Sequence, residues 1–226
     1  MNYNMKTLTP ILSSLEIPED FYDESVGVLT LKEFLEDNFD LSTESGLTKL
    51  VCILNNTNYV IKIPYNQYLD FDDEKEYPII MKGATGDSTD EAWDYCAQEV
   101  YIYNLAKLYQ VEKAFPETIY LGKWNNWPIY LQEKCETIKR LKYDFKTSRL
   151  IKQTNKKVIK IIASKNLPYI DEDWISFYYI KHGEAEMIKL LNFVKYYKIE
   201  DLHSRNIGFS SIDNRPVLID FSSFNM

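Results

Sequence analysis

The 226-residue sequence predicts an α+β fold: an antiparallel sheet carrying one helix, then a mainly helical part that closes on a β-hairpin. Three observations lead there. Branched and aromatic runs separated by turn residues recur as strand pairs near 50–63, 115–133 and 207–219. Helical periodicity falls between them, most clearly at 88–109 and 185–197. The length suits one domain or two small lobes sharing a cleft.

Composition narrows the class. The chain is 45% hydrophobic and 27% charged, which is globular rather than disordered. No apolar run approaches the roughly 18 residues a membrane helix needs. The opening MNYNMKTLTP lacks a signal-peptide core. A cytoplasmic protein with no membrane contact is expected. Cys52, Cys96 and Cys135 are odd in number and not closely spaced, so they read as reduced core thiols. His182 and His203 alone argue against a histidine-based metal site.

Charge is unevenly spread. Residues 1–138 hold 10 basic and 24 acidic side chains, a net of −14. Residues 139–165 hold 10 and 1, a net of +9. Residues 166–226 hold 6 and 9, a net of −3. An acidic body with one basic segment argues against general nucleic-acid coating and for one localised contact.

Residues 1–41 form an N-terminal extension, with Pro10, Pro18 and many acids. Thr30 and Glu33 have capping-box spacing, and a short helix is expected through about Asn38, packed by Leu31, Phe34 and Leu35. Ser42 to Leu47 reads as a loop with one glycine, Gly46. Leu50–Leu54 and Tyr59–Ile63 read as strands joined by the turn Asn55–Asn58. Lys62 puts a charge inside the second of these. It is either an edge-strand lysine facing water or a residue with a task.

Residues 65–90 form an acidic insertion with one strand at Pro78–Met81. Ser88 and Glu91 make a second capping box, opening a helix to about Tyr109. Its apolar stripe is Trp93, Cys96, Ala97, Val100, Tyr103 and Leu108, and Glu99 lies close to it. Phe115–Gly122 and Trp127–Glu133 form a hairpin whose second strand runs into Lys134–Glu136.

The basic segment 139–165 predicts a helix or helix pair, with Leu150, Ile151, Val158, Ile161 and Ile162 apolar. It reads as a solvated face, as a docking face for an acidic partner or the protein's own acidic part, or as a nucleic-acid contact. Tyr143 and Phe145 are too few rings for base stacking. Trp174–Ile180 is bulky core material, and Ala185–Tyr197 is a strong helix. Ile207–Phe209 and Val217–Ile219 close the chain as a hairpin around Ser211–Pro216. A hairpin folds its ends together, so Asn206 and Asp220 should lie side by side, with Asp201 just before them. Two carboxylates and an amide oxygen of this kind suit Mg²⁺. His203 is expected to make a loop-orienting hydrogen bond.

Asp201-x4-Asn206, a hairpin and then Asp220-Phe221 resemble the catalytic and metal loops of the protein-kinase-like superfamily. The wording DLHSRNIG…LIDFSS is most similar to compact, divergent kinase-like proteins of bacteria and phages. Val60-Ile61-Lys62-Ile63 resembles that family's lysine strand.

The resemblance implies a minimal bilobal kinase-like fold. Residues 42–136 would be the N-lobe, with its sheet, helix and hinge, and 137–226 a truncated helical C-lobe. It implies ATP and Mg²⁺ as cofactors. Asp201 becomes the catalytic aspartate, Asn206 and Asp220 the metal ligands, and Lys62 the holder of the α- and β-phosphates, paired with Glu99. Gly46 would stand in the phosphate loop, with Glu133, Lys134 and Cys135 in the adenine-binding hinge. Arg205 could touch the γ-phosphate.

Departures accompany it. Ile199-Glu200 replaces the family's His-Arg, Ser222 replaces its glycine, and the phosphate loop has one glycine. Only six residues follow Asp220, where the family continues into a peptide-binding platform. The implied activity is phosphoryl transfer to a protein hydroxyl. A pseudokinase-type module that engages a partner protein without catalysis is the alternative, and a small-molecule phosphotransferase a third.

Overall fold

The computed structural model describes residues 36–37, 40–45, 49–64, 67–68, 79–80, 95–124, 127–138, 145–168, 170–199 and 202–221. The chain forms two units. One comprises Met1–Ala97 and Ile119–Gln132, the other Gln98–Thr118 and Glu133–Met226.

The first unit is built on a sheet. Its strands are β1 (Leu41–Ser45), β2 (Lys49–Leu54) and β3 (Tyr59–Pro64). After a ribbon of β4 (Gln67–Tyr68) and β5 (Ile79–Ile80) come β6 (Thr118–Trp124) and β7 (Trp127–Glu133). The five-stranded order is β1-β2-β3-β7-β6, and β1 and β3 both run antiparallel to β2. The expected strands at 50–54 and 59–63 are present in the expected hairpin, with Ile53 opposite Val60. Asn56 takes φ 58° in its turn, a conformation asparagine tolerates. The strand expected at 78–81 is Ile79–Ile80, and it pairs with Gln67–Tyr68.

One expectation is overturned here. Ser42–Ser45, read as loop, belongs to β1. Leu41 and Thr43 alternate with the exposed Ser42 and Glu44, which is the period of a half-buried strand. β1 is an edge strand, so its outward positions are polar, and five residues with one aliphatic side chain do not announce a strand.

The second unit is a helical core with a small sheet. Its helices are α1 (Tyr95–Leu108, whose first three residues belong to the other unit), α2 (Phe145–Ser164), α3 (Glu172–His182) and α4 (Glu184–Tyr196). Residues 98–118, expected with the first lobe, put Ile102, Ala106, Val111, Ala114 and Phe115 into this core. They meet Val158 and Ile162 of α2, Trp174, Ile175 and Tyr178 of α3, and Met187, Leu190, Leu191 and Val194 of α4. Among the described residues the basic segment is one helix, Phe145–Ser164. The helix expected over 185–197 is α4. The 88–94 part of the expected α1 and its capping box lie outside the described residues, as does most of the 30–38 helix.

The helix ends explain why these segments stop where they do. The Asp171 carboxylate accepts hydrogen bonds from the Asp173 and Trp174 amides, capping α3. Gly183, at φ 88°, ends α3 and lets α4 begin one residue later. α1, α2 and α4 end alike. Gln110, Asn166 and Lys198 take left-handed φ of 56°, 48° and 48°. The next residues, Val111, Leu167 and Ile199, donate their amides back to Ala106, Ile162 and Val194. Lysines of α4 tie two of these ends. Lys189 donates to the Gln110 carbonyl at 3.2 Å, and Lys195 to the Asn166 carbonyl at 2.8 Å.

The inner face of α1 is rotated from the expected stripe. Cys96, Glu99, Ile102 and Ala106 are buried, whereas Leu108 is 78% exposed and Ala97 is also outside. A stripe drawn through apolar residues alone misses a helix whose buried side includes Gln98 and Glu99. Cys52, Cys96 and Cys135 are free thiols. Burial, aided by Glu36, pushes the Cys52 thiol up to about 12, so it stays protonated at neutral pH. Among the described residues no helix is long and apolar enough to cross a membrane.

Candidate functional site

The small sheet of the second unit carries the residues of greatest interest. It consists of β8 (Cys135–Thr137), β9 (Ile207–Ser210) and β10 (Pro216–Leu218), in the order β10-β9-β8. Pro216 pairs with Phe209, Val217 with Gly208 and Leu218 with Ile207. One step further the Ile219 amide donates to the Asn206 carbonyl at 2.8 Å. Residue 206 therefore stands opposite residue 219, and Asp220 is the next along. Asn206 and Asp220 lie at the same end of the hairpin, both half-buried.

The loop leading to Asn206 is locally organised. The Arg205 amide donates to His203 Nδ1 at 3.1 Å, and the Asn206 amide to the His203 carbonyl at 2.9 Å. Nδ1 is thus an acceptor, so His203 orients the loop as expected. Asp201 lies outside the described residues, as does Gly46. Leu202, between Asp201 and His203, packs against the helical core.

Other expected site residues fall in two places. Lys62 belongs to the first unit, on an interior strand between β2 and β7. It is 5% exposed, which rules out the edge-strand lysine facing water. Glu99 belongs to the second unit and is fully buried on the inner face of α1. Burying a carboxylate is costly unless charge or hydrogen bonds answer it. Its position is therefore unlike that of a surface helix glutamate.

Glu133, Lys134 and Cys135 are engaged within the second unit. The Glu133 amide donates to the Glu117 carbonyl, and the Lys134 carbonyl accepts from the Ser211 amide, each at 2.9 Å. The Cys135 thiol donates to the Glu133 carbonyl at 3.3 Å. The Glu133 carboxylate, 1% exposed, accepts from both terminal nitrogens of Arg215, from the Ser210 hydroxyl and from the Glu117 amide. Arg215 also donates to Asp213 and to the Phe115 carbonyl. Burial works against the Arg215 charge, but the bond and charge of Glu133 outweigh it and hold the guanidinium's pKa up. In the sequence Arg215 is only a turn residue. Its partner is distant in the chain, and no local pattern reveals such a pair.

Gly208 marks a close approach. A Cβ there would run into the Glu136 carbonyl oxygen and stand 2.6 Å from Ile219 Cδ1. Only glycine lets β9 lie this close to β8. Trp174 Nε1 donates to the Gly208 carbonyl at 2.9 Å, and Lys181 Nζ to the Asp213 and Asn214 carbonyls at 3.2 and 3.1 Å.

Asn206 and Asp220 bear oxygens of the kind Mg²⁺ takes, an ion that needs few protein oxygens and keeps several waters. Among the described residues no group of three or more His, Cys, Asp and Glu side chains could hold a metal ion. A groove of about 590 Å³ elsewhere in this unit is lined by Tyr109, Phe193, Tyr196 and Tyr197 with Lys189, Asn192 and Lys195. None of the expected site residues lines it. Comparison with protein-family models, with curated proteins and with solved structures finds nothing that matches this chain.

Proposed function

We propose that the protein is an ATP- and Mg²⁺-dependent phosphotransferase of the protein-kinase-like type, acting on a protein hydroxyl. The observation that carries this reading is the bond between the Ile219 amide and the Asn206 carbonyl, which sets Asn206 and Asp220 at one end of the hairpin. Burial of Lys62 and Glu99, two charges that solvation would otherwise hold at the surface, supports it further.

In this reading Asn206 and Asp220 hold Mg²⁺, which when bound neutralises charge on the phosphate oxygens. Lys62 orients the α- and β-phosphates, and Glu99 takes the part of that lysine's carboxylate partner. Asp201 accepts or orients the proton of the acceptor hydroxyl. The protein's contribution is positioning and charge, which is most of what phosphoryl transfer asks.

The test is a thermal shift with Mg²⁺-ATP. At a hundred times its dissociation constant the ligand stabilises the wild type by about 2.7 kcal/mol. Asp220→Ala loses that shift while staying folded, and Asp201→Ala keeps the shift but loses transfer from γ-labelled ATP to protein. Equal shifts in wild type and Asp220→Ala would defeat the reading. One observation favours a partner-binding module without catalysis. Residues 46–48, between β1 and β2, hold one glycine, Gly46, where the family's phosphate loop carries three. A Mg²⁺-ATP shift without label on self or lysate protein would select that alternative.

A further inference from the structure

The outer face of α2 carries a charge pattern that packing does not require. The helix Phe145–Ser164 has six cationic residues and no acidic one. Its inward side is Ile151, Val158 and Ile162. At about 100° per residue, Arg149, Lys152, Lys156 and Lys160 fall within an arc of about 80° centred roughly opposite that side. All four are exposed. They form a row about 16 Å long at 1.5 Å per residue.

Lys157, at the side of the helix, is answered within the fold: it pairs with Glu184 at 3.6 Å and bonds the Tyr179 hydroxyl. None of the four in the row has an ion pair among the described residues. Lys152–Lys156 and Lys156–Lys160 are like-charge neighbours four apart, an arrangement that destabilises a helix. A face needed only for solubility mixes signs instead. Leu150, 47% exposed, and Ile159, 36% exposed, flank the row on opposite sides.

We propose that this row is a docking surface for an acidic helical segment of a partner protein, whose carboxylates, one turn apart, match the cations one turn apart. Such a helix would also cover Ile159, about 60° round the helix from the row's centre, with an aliphatic side chain, which a phosphate backbone cannot do. No aromatic side chain stands in the row, so bases would have nothing to stack on. The apolar face is buried in the core, so the helix has no continuous face to lay into a lipid surface. The proposal does not depend on phosphoryl transfer.

The test is fluorescence anisotropy on the full chain with three labelled probes. These are a helical peptide carrying glutamates four apart, a single-stranded oligonucleotide of equal charge, and phosphatidylserine vesicles. The peptide binds most tightly, and its affinity falls about tenfold from low to physiological salt as screening sets in. The quadruple variant R149Q/K152Q/K156Q/K160Q binds it at least about tenfold more weakly while its Tm holds or rises, because the like-charge repulsion is gone. K157Q binds as the wild type does. Tighter binding of oligonucleotide or vesicles, no binding of any probe, or equal peptide binding by the quadruple variant would overturn it. So would salt-sensitive self-association abolished in that variant, which would make a second copy the occupant.

Discussion

Two hairpins carry Lys62, Asn206 and Asp220, and they are held in different ways. The β2–β3 hairpin, with Lys62, has six-residue strands inside a five-stranded sheet, flanked by β1 and β7. The β9–β10 hairpin, with Asn206 and Asp220 at its end, has strands of four and three residues and only β8 beside it. Strands that short are marginal alone. Side chains from elsewhere prop them: Trp174 on the Gly208 carbonyl, Lys181 on the turn, and the Arg215–Glu133 pair. The first hairpin is specified by its own pattern, the second by tertiary partners. A site that needs a fixed end on a short hairpin draws its rigidity from such partners.

The largest effect should come from the prop that involves charge. Arg215→Ala leaves the Glu133 carboxylate buried without its guanidinium, and breaking such a pair costs about 3–5 kcal/mol. Replacing both, as R215M/E133L, removes the stranded charge and should recover most of that loss. Denaturant unfolding of the three proteins measures it. A single variant no worse than the double would show that the hairpin does not lean on this pair.

Next comes the close approach of β9 to β8. In Gly208→Ala the new methyl meets a backbone oxygen, which cannot swing aside as a flexible side chain could. Overpacking of this sort costs about 2–3 kcal/mol. The matching change in the first hairpin, Asn56→Gly at φ 58°, should move stability by no more than about 0.5 kcal/mol, because that turn accepts glycine without strain. A larger loss from Asn56→Gly than from Gly208→Ala would erase the distinction between the hairpins.

The same distinction governs what could be read in advance. Lys49–Pro64 was legible because branched residues and a four-residue asparagine-rich turn act locally. The juxtaposition of Asn206 and Asp220 was legible because any hairpin between 207 and 219 brings its ends together. The His203 bond was legible because a histidine in a tight polar loop has backbone within reach. β1 was not, since an edge strand reading Leu-Ser-Thr-Glu-Ser takes its order from β2. Nor was the inner face of α1, where Gln98 and Glu99 occupy buried positions that periodicity assigns to apolar residues. Arg215 and Gly208 depend on Glu133 and Glu136, and residues that far off leave no trace in a local window.

The smallest predicted effect separates the two units by pH. The chain's only histidines are His182 and His203, both in the second unit. His182 ends α3 beside Lys181, whose ammonium holds the hairpin turn, and its Nε2 has no hydrogen-bond partner among the described residues. Burial, then Lys181 and Lys113, lower its pKa below the usual 6.5, against the opposing pull of Glu186 and Asp213. The unfolded chain therefore takes up this proton first. The stabilisation is complete above pH 6.5 and is lost as pH falls from there through the lowered folded value. Asp213 acts in a separate window. Burial raises its pKa, but the Arg215 amide and guanidinium outweigh that, so its contribution persists until pH drops below about 3.8. Between pH 7.5 and 5.5, protection factors, corrected for the slower intrinsic exchange at lower pH, should fall modestly in the β9–β10 turn, while those of β2 and β3 hold. His182→Gln should flatten that slope, and an equal pH response in both hairpins would mean that histidine protonation is not what loosens the second.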